Sequence, residues 1–301
     1  MIDVAVLGRV GIDLYPNQLR TRLRDVRTYT RFVGGFAGNV ATGLARLGLQ
    51  PAIVSRVGND PHGEFVRDFL SAEGVDVRFL AVDDRLRTPP TFCEVWPPDN
   101  FPLLFYRYPT APDWQLVPDD FAADEVATAP FLLATGTALA QSPSRETTLA
   151  ALEAHERLTI FDLDWRPTLW ETPDAYVELA QTAARHADVV IGNEEEVEAA
   201  AGDPHTLLDL GVSTLVLKRG ERGVLLLHEG AEIDVPGHPV EVVNGLGAGD
   251  AFIAAFVQGL HNGRSLEEAA RRGSVAGAIV ASQLACSEAM PTLAELETEL
   301  T

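Results

Sequence analysis

Short apolar runs alternate with amphipathic stretches along the whole chain. Val4–Leu7, Ala52–Ser55, Phe131–Ala134, Leu158–Phe161, Val189–Ile191 and Leu215–Leu217 are runs of strand length, most of them bounded by Gly, Asp or Asn. Between them lie helical patterns at His62–Glu73, Arg145–Glu156, Ala175–Arg185 and Glu195–Ala201. In the first of these, Phe65, Val66, Phe69 and Leu70 share one face. Regular alternation of buried-type strands with helices predicts an α/β fold: a three-layer α/β/α body around a mostly parallel sheet.

The rhythm breaks at about 12–33 and 88–112, where polar and aromatic residues alternate without a helix signal. Thr91–Trp96, the turn-rich Pro97-Pro98-Asp99-Asn100 and Pro102–Arg107 read as a hairpin. These two pieces predict a small β-sheet lid on a body that spans residues 1–301 as one domain.

Composition narrows the setting. Hydrophobic residues make up 46% of 301, enough for a large core. The net charge of -21 disfavours nucleic acid and anionic membranes as partners. No apolar run is long enough to span a bilayer, and the first residues read as a strand rather than a signal peptide. Cys93 and Cys286, far apart in sequence, fit a reducing cytoplasm.

Gly8-Arg9-Val10-Gly11 follows the first strand, as the glycine turn of a dinucleotide fold would. That fold requires a helix next, and the chain continues Ile12-Asp13-Leu14-Tyr15-Pro16 instead. A nicotinamide oxidoreductase is therefore disfavoured.

Two glycine runs carry chemistry. Asn244-Gly245-Leu246-Gly247-Ala248-Gly249-Asp250 leads into an apolar helix. Small residues at Gly247, Ala248 and Gly249 let amide N–H groups converge at a helix N-terminus, an anion hole for a transferring phosphoryl group. Asp250, in the first turn, is placed to accept a proton from an attacking hydroxyl; equally, it is placed to complement the helix dipole of a glycine turn with no ligand. Gly34-Gly35-Phe36-Ala37-Gly38-Asn39 likewise reads either as a ligand-approach loop, with Asn39 facing hydroxyls, or as a bare helix start.

Together the two runs resemble the paired signatures of the PfkB/ribokinase carbohydrate kinase family, in the right order and about 200 residues apart. The resemblance covers essentially the whole chain. It departs at Asn244 and Gly245, where Asp and Thr are commoner, so the adjoining monovalent-cation site stays open. The resemblance implies ATP as phosphoryl donor, with Mg2+. It implies Asp250 as base over the Gly247–Gly249 anion hole. Asp13, Gly34, Gly35 and Asn39 would hold the sugar. Asn193-Glu194-Glu195-Glu196 matches an Asn-x-x-Glu motif: Asn193 would act on phosphate, and Glu196 on the metal through water. An N-cap with an acidic first turn has the same spacing. Lys218, Gly220 and Gly223 fall on the family's nucleotide loop.

The acceptor is read from arginines. Asp162-Leu163-Asp164-Trp165-Arg166 begins at a strand's C-terminal end, where open α/β sheets bind ligands, and Tyr106-Arg107 ends the lid hairpin. Arg107 and Arg166, with Tyr106 beside them, predict an anionic acceptor such as a sugar acid. Internal ion pairing of Arg166 with Asp162 or Asp164, and a surface position for Arg107, are the competing readings. The runs at Gly8, Phe101, Asp162 and Cys286 resemble the branch of the family that phosphorylates a deoxy keto sugar acid in inositol catabolism; kinases of 2-keto-3-deoxygluconate share the arginine logic. A non-catalytic ligand-binding regulator on the same fold is the remote alternative. The lid aromatics Tyr106, Tyr108 and Trp96 suit a homodimer face or a sugar-covering face.

Overall fold

The computed structural model describes residues 2–301. In chain order the strands are β1 (Val4–Leu7), β2 (Gly11–Pro16), β3 (Tyr29–Gly34), β4 (Pro51–Gly58), β5 (Leu80–Asp83), β6 (Pro90–Cys93), β7 (Leu103–Phe105), β8 (Phe131–Thr135), β9 (Leu158–Asp162), β10 (Val189–Asn193), β11 (Thr214–Lys218), β12 (Val224–His228) and β13 (Ala231–Val235). The helices are α1 (Phe36–Arg46), α2 (Pro61–Ala72), α3 (Ala123–Ala127), α4 (Ser144–Ala154), α5 (Pro173–Ala184), α6 (Glu194–Ala201), α7 (Pro204–Asp209), α8 (Ala248–His261), α9 (Leu266–Ala281) and α10 (Leu293–Leu300).

Nine strands form one sheet in the order β13-β12-β11-β10-β9-β8-β1-β4-β5. Its strands run parallel from β11 to β5, which is why they are apolar on both faces. Alternate side chains enter different cores. Val4 and Val6 of β1 pack with α1, α8 and α9, while Ala5 and Leu7 pack with α4 and α5. Helices therefore cover both faces, as the alternation predicts.

The antiparallel edge, β12 and β13, was not anticipated. Glu229 and Gly230 join these strands with φ of 50° and 78°. A two-residue turn with both φ positive reverses the chain, so the strands must run antiparallel.

The second sheet has four strands, ordered β3-β2-β6-β7. It is built from both segments predicted for the lid. The hairpin strands are shorter than their sequence pattern: Pro102 accepts from Glu94 N at 3.0 Å but has no N–H to return, and the bridge Trp96–Asn100 closes the turn beyond that gap. Trp96 is half-buried, its indole N–H bound to Glu94 at 2.8 Å, so it is not part of an exposed aromatic face. Among the described residues no helix is long and apolar enough to cross a membrane.

Candidate active site

A cleft lies between the C-terminal ends of the parallel strands and the inner face of the lid. Asp13, Gly35, Asn39, Arg107, Arg166, Gly247 and Asp250 all line it, so the tertiary fold gathers residues from five separate stretches.

Gly247 caps α8 with φ 83°, a left-handed conformation that suits glycine, and a Cβ there would lie 2.9 Å from Cys286 Sγ. The turn aims the first amides of α8 into the cleft and puts Asp250 on the helix's first turn. Desolvation in the narrow cleft pushes the Asp250 carboxyl up to about 7; a hydrogen bond from Asn39 Nδ2, 2.7 Å from Oδ2, opposes the rise. Lys218, at the end of β11, lies beside Gly249: its Nζ is 3.3 Å from where a Cβ would be. Burial disfavours its charge, but Asp162 (3.4 Å), Glu196 and Asp250 outweigh that and raise its pKa. An ammonium, a set of helix-start amides and a carboxylate thus meet at one point. That is an arrangement for phosphoryl transfer.

The departures from the family pattern have a local account. Asn244 is fully buried; its amide donates to Leu284 O at 2.7 Å and accepts from Leu246 N at 3.1 Å, bracing the glycine loop. A side chain at Gly245 would meet the Phe101 ring at 2.8 Å, so the lid aromatic occupies the room a Thr would need.

At the end of β9, burial pushes Asp162 upward. Asp164 is also buried, but Arg166 at 2.8 Å and the hydroxyls of Thr135 and Thr137, each at 2.9 Å, hold it below the ordinary carboxylate range. Arg166 also approaches Glu196 at 3.5 Å. Its internal ion pair is therefore present, alongside its position in the cleft.

Arg107 is no surface residue. It is 2% exposed, pairs with Asp113 and lies over the Trp114 ring at 3.6 Å. Its Nε and Nη1 have no partner among the described residues. Tyr106 sits elsewhere: strand alternation sends Leu103, Phe105 and Arg107 inward and Leu104 and Tyr106 outward, leaving Tyr106 57% exposed with its ring tilted against Phe92.

Asn193 and Glu196 form a reciprocal N-cap on α6, with Asn193 N to Glu196 Oε2 at 2.8 Å and Glu196 N to Asn193 Oδ1 at 2.9 Å. No group of three or more His, Cys, Asp or Glu gathers as a ready metal site among the described residues. Asp162 and Glu196 are close enough to interact and supply the hard oxygens magnesium prefers. Gly220 and Gly223, both at positive φ, bound a short turn after Lys218; a Cβ at Gly223 would strike Val235 O at 2.1 Å, so the loop folds tightly back on β13.

Four contributors were missed from sequence. Arg9 bonds Asp13 (3.3 Å) and Thr91 (2.5 Å), with a buried, unpartnered Nε. Thr137 and Ser287 orient Asp164 and Asn39. Cys286 packs beneath Gly247. Arg9 and Cys286 had a signal, since each lies in a run that carries the family resemblance; Thr137 and Ser287 had none of their own.

The match to the family model described as pfkB family carbohydrate kinase spans residues 1–293. The chain is 34% identical to 5-dehydro-2-deoxygluconokinase of Clostridium tetani, covering 98% of this chain and 92% of that one. Identity to the enzyme of that name from Bacillus subtilis is 33%, covering 98% and 94%. Among solved structures, fructokinase from Vibrio cholerae bound to fructose, ADP and calcium superposes with a TM-score of 0.89 at 27% identity, covering 100% and 99%. Aminoimidazole riboside kinase from Salmonella enterica, complexed with aminoimidazole riboside and an ATP analogue, gives 0.83 at 26%, covering 99% of each chain.

Proposed function

The chain belongs to the pfkB family of carbohydrate kinases and is an ATP-dependent sugar kinase, and from this premise we propose that it phosphorylates the primary hydroxyl of a sugar acid, 5-dehydro-2-deoxy-D-gluconate, to the 6-phosphate. The observation that carries the choice is three arginines, Arg9, Arg107 and Arg166, around a cleft in an otherwise acidic protein. Arg9 and Arg107 retain buried N–H groups without partners among the described residues. Unpaired buried donors are costly, and an acceptor carboxylate would satisfy them. The relatives named for this substrate support the same reading.

In this reading the acid end lies at the lid arginines and the primary hydroxyl at Asp250. Asp13, Gly34 and Gly35 form the wall along the sugar; a Cβ at Gly34 would fall 2.1 Å from the Asp13 carboxyl, so that wall is tightly fitted. Asp250 takes the hydroxyl proton as the oxygen attacks the γ-phosphorus. Lys218 and the Gly247–Gly249 amides meet the charge on the transferring group. The nucleotide runs along Gly220 and Gly223 towards Asn193. Magnesium, when bound, neutralises phosphate charge, and Asp162 and Glu196 would hold it, in part through water. Closing the lid excludes water that would otherwise compete for the phosphoryl group. Two chains pair through the outer face of the lid, where Leu104, Tyr106 and Tyr108 are exposed. Both thiols are free and buried, in keeping with a reducing cytoplasm.

An ADP-release assay over 5-dehydro-2-deoxygluconate, 2-keto-3-deoxygluconate, fructose and a nucleoside tests the substrate. The expected order of kcat/KM places 5-dehydro-2-deoxygluconate first and 2-keto-3-deoxygluconate, also an acid with a terminal hydroxyl, second. A higher value for fructose or the nucleoside would refute the acid assignment.

A further inference from the structure

Asn39 sits at the start of α1, at a position that reads as a sugar ligand. Its side chain is only 3% exposed as a residue, and both ends of its amide are engaged. Nδ2 donates to Asp250 Oδ2 at 2.7 Å. Oδ1 lies 2.8 Å from Ser287 Oγ, and Ser287 is itself fully buried, its hydroxyl also touching the Val33 carbonyl at the base of the lid strand β3. We infer that Asn39 is a positioning residue for the catalytic base: Ser287 fixes the amide so that its N–H holds Asp250 Oδ2 and leaves Oδ1 free for the acceptor hydroxyl.

The charged and titratable groups facing Asp250 are Lys218 from β11, Asp162, Asp164 and Arg166 from the end of β9 onward, and the Cys286 thiol next to Ser287. Among the described residues, Asn39 alone donates a hydrogen bond to the Asp250 carboxylate. A donor aimed at a carboxylate favours its charged form, so this contact opposes the desolvation that pushes the base upward. The same pair restricts rotation of the carboxylate, because one oxygen is fixed to a buried amide. The turn carrying Ser287 also touches both the lid and the glycine loop: Cys286 bonds Leu246 O at 3.2 Å and contacts the Tyr15 hydroxyl of β2. The base is thus held from the lid side as well as from its own helix.

The inference rests on Asp250 being the base, and the test separates the two ideas. Full-length protein labelled with ¹³C-carboxyl aspartate is titrated by NMR, the Asp250 signal being assigned by its loss in Asp250→Asn. Asn39→Leu, similar in shape without donors, should raise the Asp250 midpoint by about one pH unit, the size expected for losing a charged hydrogen bond. Ser287→Ala, a smaller change that keeps the fold if Asn39→Leu does not, should raise it by less. The acid limb of log kcat against pH, measured with 5-dehydro-2-deoxygluconate and ATP, should move with it. An unchanged midpoint in both variants overturns the inference, whatever happens to kcat; a residue that merely binds sugar would raise KM and leave the midpoint alone. A raised midpoint with an unmoved acid limb sustains the Asn39 contact and removes Asp250 as the base.

Discussion

At the scale of single residues, the site is a set of carboxylates whose charge is decided by what surrounds them. Asp164 is held ionised by Arg166 and two threonine hydroxyls, whereas Asp250, with less compensation, rises to about 7. A carboxylate near neutrality is well matched to the role proposed for it, accepting a proton at working pH. Asp250→Asn should lower kcat at least about a hundredfold with little change in ATP affinity, as measured by steady-state kinetics and nucleotide titration. The same group makes a stability prediction. Its folded pKa is above the unfolded value, so the native state holds the proton more tightly. Stability then falls as pH rises from about 4 through 7. Asp250→Asn should melt higher than the parent at pH 8, and the gap should close towards pH 4. Arg166→Ala makes a different separation. It should weaken kcat/KM for sugar acids by about tenfold or more, with a smaller loss for fructose, since an arginine–carboxylate contact contributes roughly 1.5–3 kcal/mol. Equal losses for both would assign Arg166 wholly to its ion pair with Asp164.

At the scale of elements, α8 is both the wall of the core and the platform of Asp250, the proposed base. It crosses α9 closely because Gly259 and Gly273 lack side chains; a Cβ on Gly273 would come within 2.6 Å of the Phe252 ring and 2.9 Å of its carbonyl oxygen. Neither ring nor backbone has room to retreat in a packed interior. Gly273→Ala should destabilise the protein by about 1–3 kcal/mol, read from denaturant unfolding, and should lower kcat more than ATP affinity because it tilts the helix that presents Asp250. This crossing could not be read from sequence. The run Ala251–Phe256 declares a helix, but which face meets α9 depends on glycines whose role appears only when the two helices are laid together. The hairpin tip shows the opposite case: the proline at 102 is visible in the sequence and interrupts a ladder that the polar–apolar pattern alone would extend.

At the scale of the whole molecule, the lid turns apolar side chains outward. Leu104, Tyr106 and Tyr108 are 46%, 57% and 94% exposed. If two chains pair there, Leu104→Asp combined with Tyr108→Asp should reduce the sedimenting mass from twice the 32.5 kDa chain to once. Added salt should strengthen the pairing of the unaltered protein, because two bodies each carrying -21 repel and salt screens that repulsion.

The sequence by itself determined the layered α/β body, the lid segments, the glycine turn with its carboxylate and the family. Periodicity and glycine placement are local properties, and a chain records local properties directly. It left Arg166 poised between an ion pair and a ligand contact, and left Asn193 and Glu196 between an N-cap and a phosphate site; the fold supplies the ion pair and the cap while keeping Arg166 in the cleft. Only the tertiary structure brought Arg9 beside Asp13 and Thr91, turned Arg107 inward and Tyr106 outward, and set Asn39 against Asp250 and Ser287 across 211 and 248 residues of separation. Burial, pKa and hydrogen-bond partnership belong to pairs of residues distant in the chain, so no single stretch of sequence records them.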